Sequence, residues 1–427
     1  MFRTLDNLFD RARAARGLSG AGEGHPQGGV TRRRFVQGTV AAAGAGMAAI
    51  ALSSCSSGRD SQQEDGEPQV VTDSSQIVAV LDGDYENVSN SLSASSTWSL
   101  PLGTMLFHNG GNTWAAAMLT PESATSVNTV GVLSLSSGNL TTLLDVASLG
   151  ASYSFFDVRC SDQVYAWIEI NYTDGSWVLL GQGLSNGALY GSPVQLDSGD
   201  SDWEPPRFTV WNSSVIWQKM PLASGNRTTE YSHCYIWTVG SSEGQEIYES
   251  HGRFATTPRV SGSVLTIAPR VREGSGVYYG MTAVDITSSS YDQIDQLVLP
   301  RTVSPFDATY MNDQFVFSIE ASYSGVGSLG NMGTFIGKEG GPYLYLRREP
   351  LAQVAGNGSR YLVKSQASHF VIDTEAQSYA VLTSPDRSID YGDFPATEGA
   401  SSQFLTFATV RDDTGVPASV TARVFSI

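Results

Sequence analysis

From Gln76 onward the chain is written in short apolar runs of Val, Ile, Leu, Phe, Tyr and Trp, broken every few residues by Gly, Ser, Asn or Asp. Runs of that length bounded by turn formers predict β-strands. No stretch holds the apolar period of an amphipathic helix through three turns. One hairpin form recurs. Examples are Thr129-Val-Gly-Val-Leu-Ser-Leu before Ser136-Ser-Gly-Asn, Tyr235-Ile-Trp-Thr-Val before Ser242-Glu-Gly, and Phe370-Val-Ile-Asp before Thr374-Glu-Ala-Gln. The small polar turns let the chain reverse between paired strands.

A second strand pair precedes each hairpin and opens on an aromatic or proline residue: Pro101, Phe155, Pro206, Pro258, Pro305 and Pro395. These anchors are spaced 54, 51, 52, 47 and 90 residues apart. The last interval reads as one repeat plus an insertion over about 321–360, expected to fold over a channel mouth. Four strands per period of roughly 40 to 50 residues predict the blades of a β-propeller. The expectation is an all-β fold of six four-stranded blades over 75–427; a pair of two-sheet sandwiches would break the tandem spacing. The C-terminal repeat shows only three strands, and Ser75-Gln-Ile-Val-Ala-Val-Leu81 is a spare strand at the other end. That segment is expected to supply the missing strand and close the ring, which removes open sheet edges. The hairpins resemble those of TolB-type six-bladed propellers in pattern and period, without an invariant motif; the resemblance spans about 76–427 and implies the same all-β ring.

Residues 1–54 carry an address. Thr31-Arg32-Arg33-Arg34-Phe35-Val36-Gln37 resembles the twin-arginine export signal, with Arg32, Arg33 and Phe35 at its defining positions, and a Gly- and Ala-rich apolar stretch follows to Leu52. That stretch is short and Gly-rich for a permanent membrane span. Leu52-Ser53-Ser54-Cys55 resembles a lipoprotein box, in which cleavage before the cysteine is coupled to its diacylation. The resemblances imply passage through the twin-arginine translocase, processing by lipoprotein signal peptidase, and a mature chain starting at Cys55 on the extracytoplasmic face of a bacterial cell membrane. A two-chain lipid anchors stably where one chain does not. Residues 55–74 are poor in apolar groups and read as a disordered tether.

The 427 residues carry 25 Lys+Arg against 42 Asp+Glu, a net charge of −17. Without residues 1–54, 18 basic groups face 39 acidic ones, a net of −21. A field of this sign repels nucleic-acid phosphates and anionic headgroups alike, so no nucleic-acid partner is expected and the lipid must hold the membrane without a basic patch.

The candidate chemical motifs are weak. Gly325-Val-Gly-Ser-Leu-Gly330 fits GxGxxG but lacks the strand-to-helix context that a dinucleotide site needs. Asn109-Gly-Gly-Asn-Thr113-Trp114 resembles part of the sialidase Asp-box; a turn with Trp114 packed between blades is the simpler reading. The acidic loops at 82–87 and 197–202 could offer oxygen ligands to calcium, yet neither has EF-hand spacing. The five His show no zinc-type spacing, and no cofactor motif is visible. With Cys55 lipidated, Cys160 and Cys234 remain, as a disulfide that export would permit or as two buried thiols.

In a propeller the links between blades and the turns between second and third strands share one face. Trp203, Glu204, Arg253, Arg270 and Arg347 fall in such segments, with Arg227 and Arg272 and the aromatic-rich run of Tyr343, Tyr345 and Arg348. Arginine and aromatic groups together favour recognition. The sequence thus points to a ligand-binding or scaffold module, engaging an envelope protein, peptide or glycan. The alternative is an extracytoplasmic glycosidase- or lactonase-type hydrolase with paired carboxylates at the channel mouth.

Overall fold

The computed structural model describes residues 66–427, apart from 112, 122, 124, 125 and 273–275. The residues expected to form an export signal, Arg32, Arg33 and Phe35, and the expected lipidation residue Cys55 lie outside the described residues.

The chain folds as successive antiparallel sheets in which sequence neighbours pair. Blade 1 runs from Thr104–Phe107 to Leu140–Leu144, blade 2 from Ser154–Cys160 to Ala188–Gly199, and blade 3 from Arg207–Trp211 to Gln245–Ser250. Blade 4 runs from Arg259–Ser261 to Gln293–Val298 and blade 5 from Asp307–Met311 to Tyr343–Leu346. Two further sheets follow, at 355–382 and 388–426. The expected all-β propeller of four-stranded blades is therefore what the chain forms, and the described strands make seven sheets. The difference lies in the 90-residue interval after Pro305. What reads as an insertion at 321–360 comprises the outer strands Gly333–Gly337 and Tyr343–Leu346 of blade 5 and the inner strand Ala355–Asn357 of blade 6. A Gly-rich turn and an inner strand of only three residues hid the extra repeat.

Seven apolar clusters sit between the sheets, each shared by two sequence neighbours, and the last joins blade 7 to blade 1. This arrangement explains the strand composition. In Val164–Ile170 every residue is buried, because Tyr165 and Trp167 pack towards blade 1 while Val164, Ala166, Ile168 and Ile170 pack towards blade 3. A strand covered on both faces reads as continuous rather than alternating hydrophobicity. The outer strand Ala188–Gly199 is partly or fully exposed throughout.

The ring closes with an N-terminal strand, though a different one from 75–81. Ala94–Pro101 pairs antiparallel with Pro417–Ser426 and completes blade 7. The segment expected to do so instead lays Ile77–Ala79 parallel along Tyr343–Leu346, at the outer edge of blade 5. Glu86–Asn87 adds to blade 6 in the same way. The described part of the expected tether is likewise docked: Val71 is buried in the cluster between blades 4 and 5, its carbonyl accepts from Ser328 N at 2.7 Å, and Gln69 N donates to Val298 O at 2.9 Å. Its polar composition conceals one apolar side chain that fits this cleft.

The channel is filled at one end. The first-to-second-strand connection of blade 7, residues 396–402, folds inward, pairing His108 with Thr397 and Gly399–Ala400 with Ala355–Gly356. Glu398, in this connection, accepts from Thr209 Oγ1 at 2.9 Å, from Asn109 Nδ2 and from Arg259, whose Nε also binds Asp307 Oδ1 at 3.0 Å.

Candidate functional site

In an antiparallel four-strand meander the inter-blade links and the second-to-third-strand turns emerge on the same side, opposite the plug. On that side the link 200–206, the turn 220–231 and the link 251–258 meet at blades 3 and 4. Backbone bonds fix them: Glu204 N donates to Met220 O at 3.1 Å, and Leu222 N to Asp202 O at 2.8 Å.

The structure brings Glu204 and Arg253 together. Arg253 binds Glu204 Oε2 and the carbonyl of Pro221, while Arg207 Nη2 lies 3.1 Å from Glu204 Oε1 and its Nη1 donates to Ala255 O at 2.9 Å. Burial works to raise the Glu204 carboxyl, but the two guanidinium groups outweigh it and hold the acid below the usual carboxylate range. Arg270 enters from blade 4. Its strand pairs with Tyr279, and its side chain runs over Gly252, where an added Cβ would lie 3.0 Å from Arg270 Cδ. Among the described residues no carboxylate pairs with the Arg270 guanidinium. Burial holds the Tyr279 hydroxyl above its ordinary value, outweighing the opposing effect of Arg253, Arg270 and Arg207. Arg207, Arg253 and Glu204 thus form one ion-paired group, with Arg270 over the neighbouring Gly252 and opposite Tyr279 in register.

Trp203 borders this group. Its indole has Lys219 Nζ 5.3 Å and Arg227 Cζ 5.6 Å from the ring centroid. Lys219 in turn binds Asp197 at 2.6 Å, and Arg227 binds Glu230 at 2.9 Å. Arg347 is not brought into the group. It lies exposed on the link from blade 5 to blade 6 beside Tyr345. Its aromatic neighbours serve packing: Tyr343 is fully buried, Tyr345 stacks on Phe335 at 4.7 Å, and Arg348 caps the Phe370 ring at 5.9 Å. Arg272 pairs with Glu67 at 2.9 Å. Arg207 and Tyr279 were not legible as site residues. Both sit on strands, and only the Pro205-Pro206 pair before Arg207 marks the turn that aims it inward.

Residues of the other motifs make structural contacts. Cys160 and Cys234 are free thiols, so no disulfide joins them; they lie in separate clusters, between blades 1 and 2 and between blades 3 and 4, and burial pushes both thiols far up. Asp197 and Asp84 serve a lysine and a backbone amide. Trp114 does pack between blades, against Gly187 of blade 2. Gly327 stands in a turn against Val71.

No family model matches the chain, and no curated protein matches it. Solved structures similar to it include a prolyl endopeptidase, at 13% identity with a TM-score of 0.48, covering 76% of this chain and 50% of the other. The β-propeller domain of the trilobed protease from Pyrococcus furiosus matches at 10% identity and a TM-score of 0.48, covering 75% and 95%. A post-proline cleaving enzyme from Rickettsia typhi matches at 11% identity and a TM-score of 0.48, covering 72% and 50%. The chain spans about half the length of the whole enzymes it matches.

Proposed function

We propose that this protein is an exported, lipid-anchored β-propeller that works as a binding module at the bacterial cell surface, taking a carboxylate-bearing ligand of the envelope, a peptide or an acidic glycan, on the face formed by Arg207, Arg253, Arg270 and Tyr279. The address rests on the twin-arginine motif and the Cys55 lipobox. The ligand class rests on one observation: in a chain of net charge −17, Arg270 has no carboxylate partner among the described residues and its side chain runs over Gly252, next in the chain to Arg253. A planar guanidinium recognises a carboxylate through paired hydrogen bonds.

Binding fits this chemistry better than hydrolysis. Glu398 and Asp307 in the channel both bind Arg259, and Glu204 is shared by two arginines. Acid pairs committed in this way are not poised for proton transfer to a substrate. The test titrates the full chain with uronic-acid oligosaccharides and with short peptides, each beside its neutral methyl-ester or amide counterpart. Carboxylated forms should bind and neutral forms should not, and Arg270→Ala should weaken binding by about tenfold or more, the worth of one charge-assisted hydrogen bond of about 1.5–3 kcal/mol. Equal binding of charged and neutral forms, or no effect of Arg270→Ala, would overturn the reading.

A further inference from the structure

A second group of chemistry-bearing side chains lies on the outer two strands of blade 3. His233 belongs to Ser232–Thr238, and Glu246 and Glu249 to the outermost strand Gln245–Ser250. Residues three apart on a regular strand point to opposite faces. Here the pairing slips between Cys234 and Tyr235: His233 stays opposite Glu249, while Tyr235 meets Glu246. The bulge absorbs one residue and turns both carboxylates to the side of the imidazole.

The resulting distances are those of a coordination shell. His233 Nδ1 lies 3.3 Å from Glu246 Oε2 and 3.8 Å from Glu249 Oε2, and one donor atom from each of the three residues falls within 4.8 Å of the others. Zinc binds nitrogen and carboxylate oxygen at about 2.0–2.2 Å, which sets tetrahedral donors about 3.4 Å apart. His233 Nδ1 is itself shielded from solvent and makes no hydrogen bond, although two carboxylates flank it.

We propose that His233, Glu246 and Glu249 form a mononuclear site for a divalent transition metal of the zinc class, with its remaining coordination position open to water or to a ligand donor. The donor set argues for this class. Calcium takes six or more oxygens and magnesium keeps its waters, whereas imidazole with carboxylates suits zinc, copper or nickel. The site lies on the outer two strands of blade 3, with His233 opposite Lys219 in register, and its donors are distinct from Arg207, Arg253, Arg270 and Tyr279.

The side chains are 26%, 45% and 49% exposed for His233, Glu246 and Glu249, so an ion can enter without rearrangement and substitutions should leave the fold intact. The experiment titrates metal-free full chain with cobalt(II) and follows its visible ligand-field absorption. One cobalt should bind, be displaced by zinc, and be indifferent to a large excess of calcium. Glu246→Gln and Glu249→Gln should each weaken binding by at least the roughly tenfold that loss of even an outer-shell partner costs. His233→Ala should abolish the band while the circular dichroism of the folded chain is unchanged. Absence of cobalt uptake, or a band that survives His233→Ala, would overturn the proposal.

Discussion

At the scale of single residues, burial governs what the polar and reactive groups can do. Cys160 and Cys234 are 1% and 0% exposed, and both thiols are pushed far above their ordinary range by desolvation. The thiolate is the reactive form. Neither cysteine should therefore be labelled by a thiol-specific reagent in the native chain, and both should be labelled once it is unfolded without reductant; mass spectrometry of the labelled peptides reads this directly. Gly187 shows how a residue without a side chain can be required. It has φ of 74°, and a Cβ there would stand 2.5 Å from the Trp114 ring across the blade 1 to blade 2 boundary. The sequence shows a turn at Asn186-Gly187, but it does not show that the turn must admit an indole from another blade. The arginine site was legible to the same partial degree. Glu204, Arg253 and Arg270 were readable as loop residues on one face, whereas Arg207 and Tyr279 lie on strands and join them only through the register of those strands.

At the scale of elements, the N-terminal segment decides how the ring ends. Its residues run along the outer edges of blades 5, 6 and 7 in turn, through Ile77–Ala79, Glu86–Asn87 and Ala94–Pro101. The three contributions differ in kind. The first two add short parallel edges to sheets that already have four strands, while Ala94–Pro101 supplies the fourth strand of blade 7 and covers the edge of Pro417–Ser426. An uncovered edge invites pairing with another chain. A chain starting at Ser91 should remain folded and monomeric with a modestly lowered melting temperature, whereas one starting at Gly103 should aggregate; size-exclusion chromatography separates the outcomes. Equal behaviour of the two would mean that closure does not depend on this strand. Composition could not choose between 75–81 and 94–101. The first is the more apolar text, yet the second has the length and alternation to match a ten-residue partner, with Trp98 and Leu100 reaching the cluster between blades 7 and 1.

At the scale of the whole molecule, a polar plug ties distant blades together through the channel. Arg259 of blade 4 binds Asp307 of blade 5 and Glu398 of blade 7, and Glu398 also takes Thr209 of blade 3 and Asn109 beyond the first strand of blade 1. The three charged side chains are each less than a tenth exposed. Removing the cation would leave two buried acids facing one another. Breaking a buried pair from one side costs about 3–5 kcal/mol. Arg259→Met should lower the urea midpoint by a corresponding amount, and adding Asp307→Asn and Glu398→Gln should recover part of it. An unchanged midpoint in Arg259→Met would show that the plug is not a fastening.

What the sequence by itself determined is the local grammar: strand after strand, turns between them, a tandem period and a net negative charge. These follow from the spacing of apolar and turn-forming residues, which needs no partner in space to be read. The tertiary structure decided the count of sheets, the strand that closes the ring, the residues that meet Tyr279 and the side of the strand on which Glu246 and Glu249 emerge. Each of these depends on register between segments far apart in the chain, and a slip of one residue reverses which face a side chain occupies.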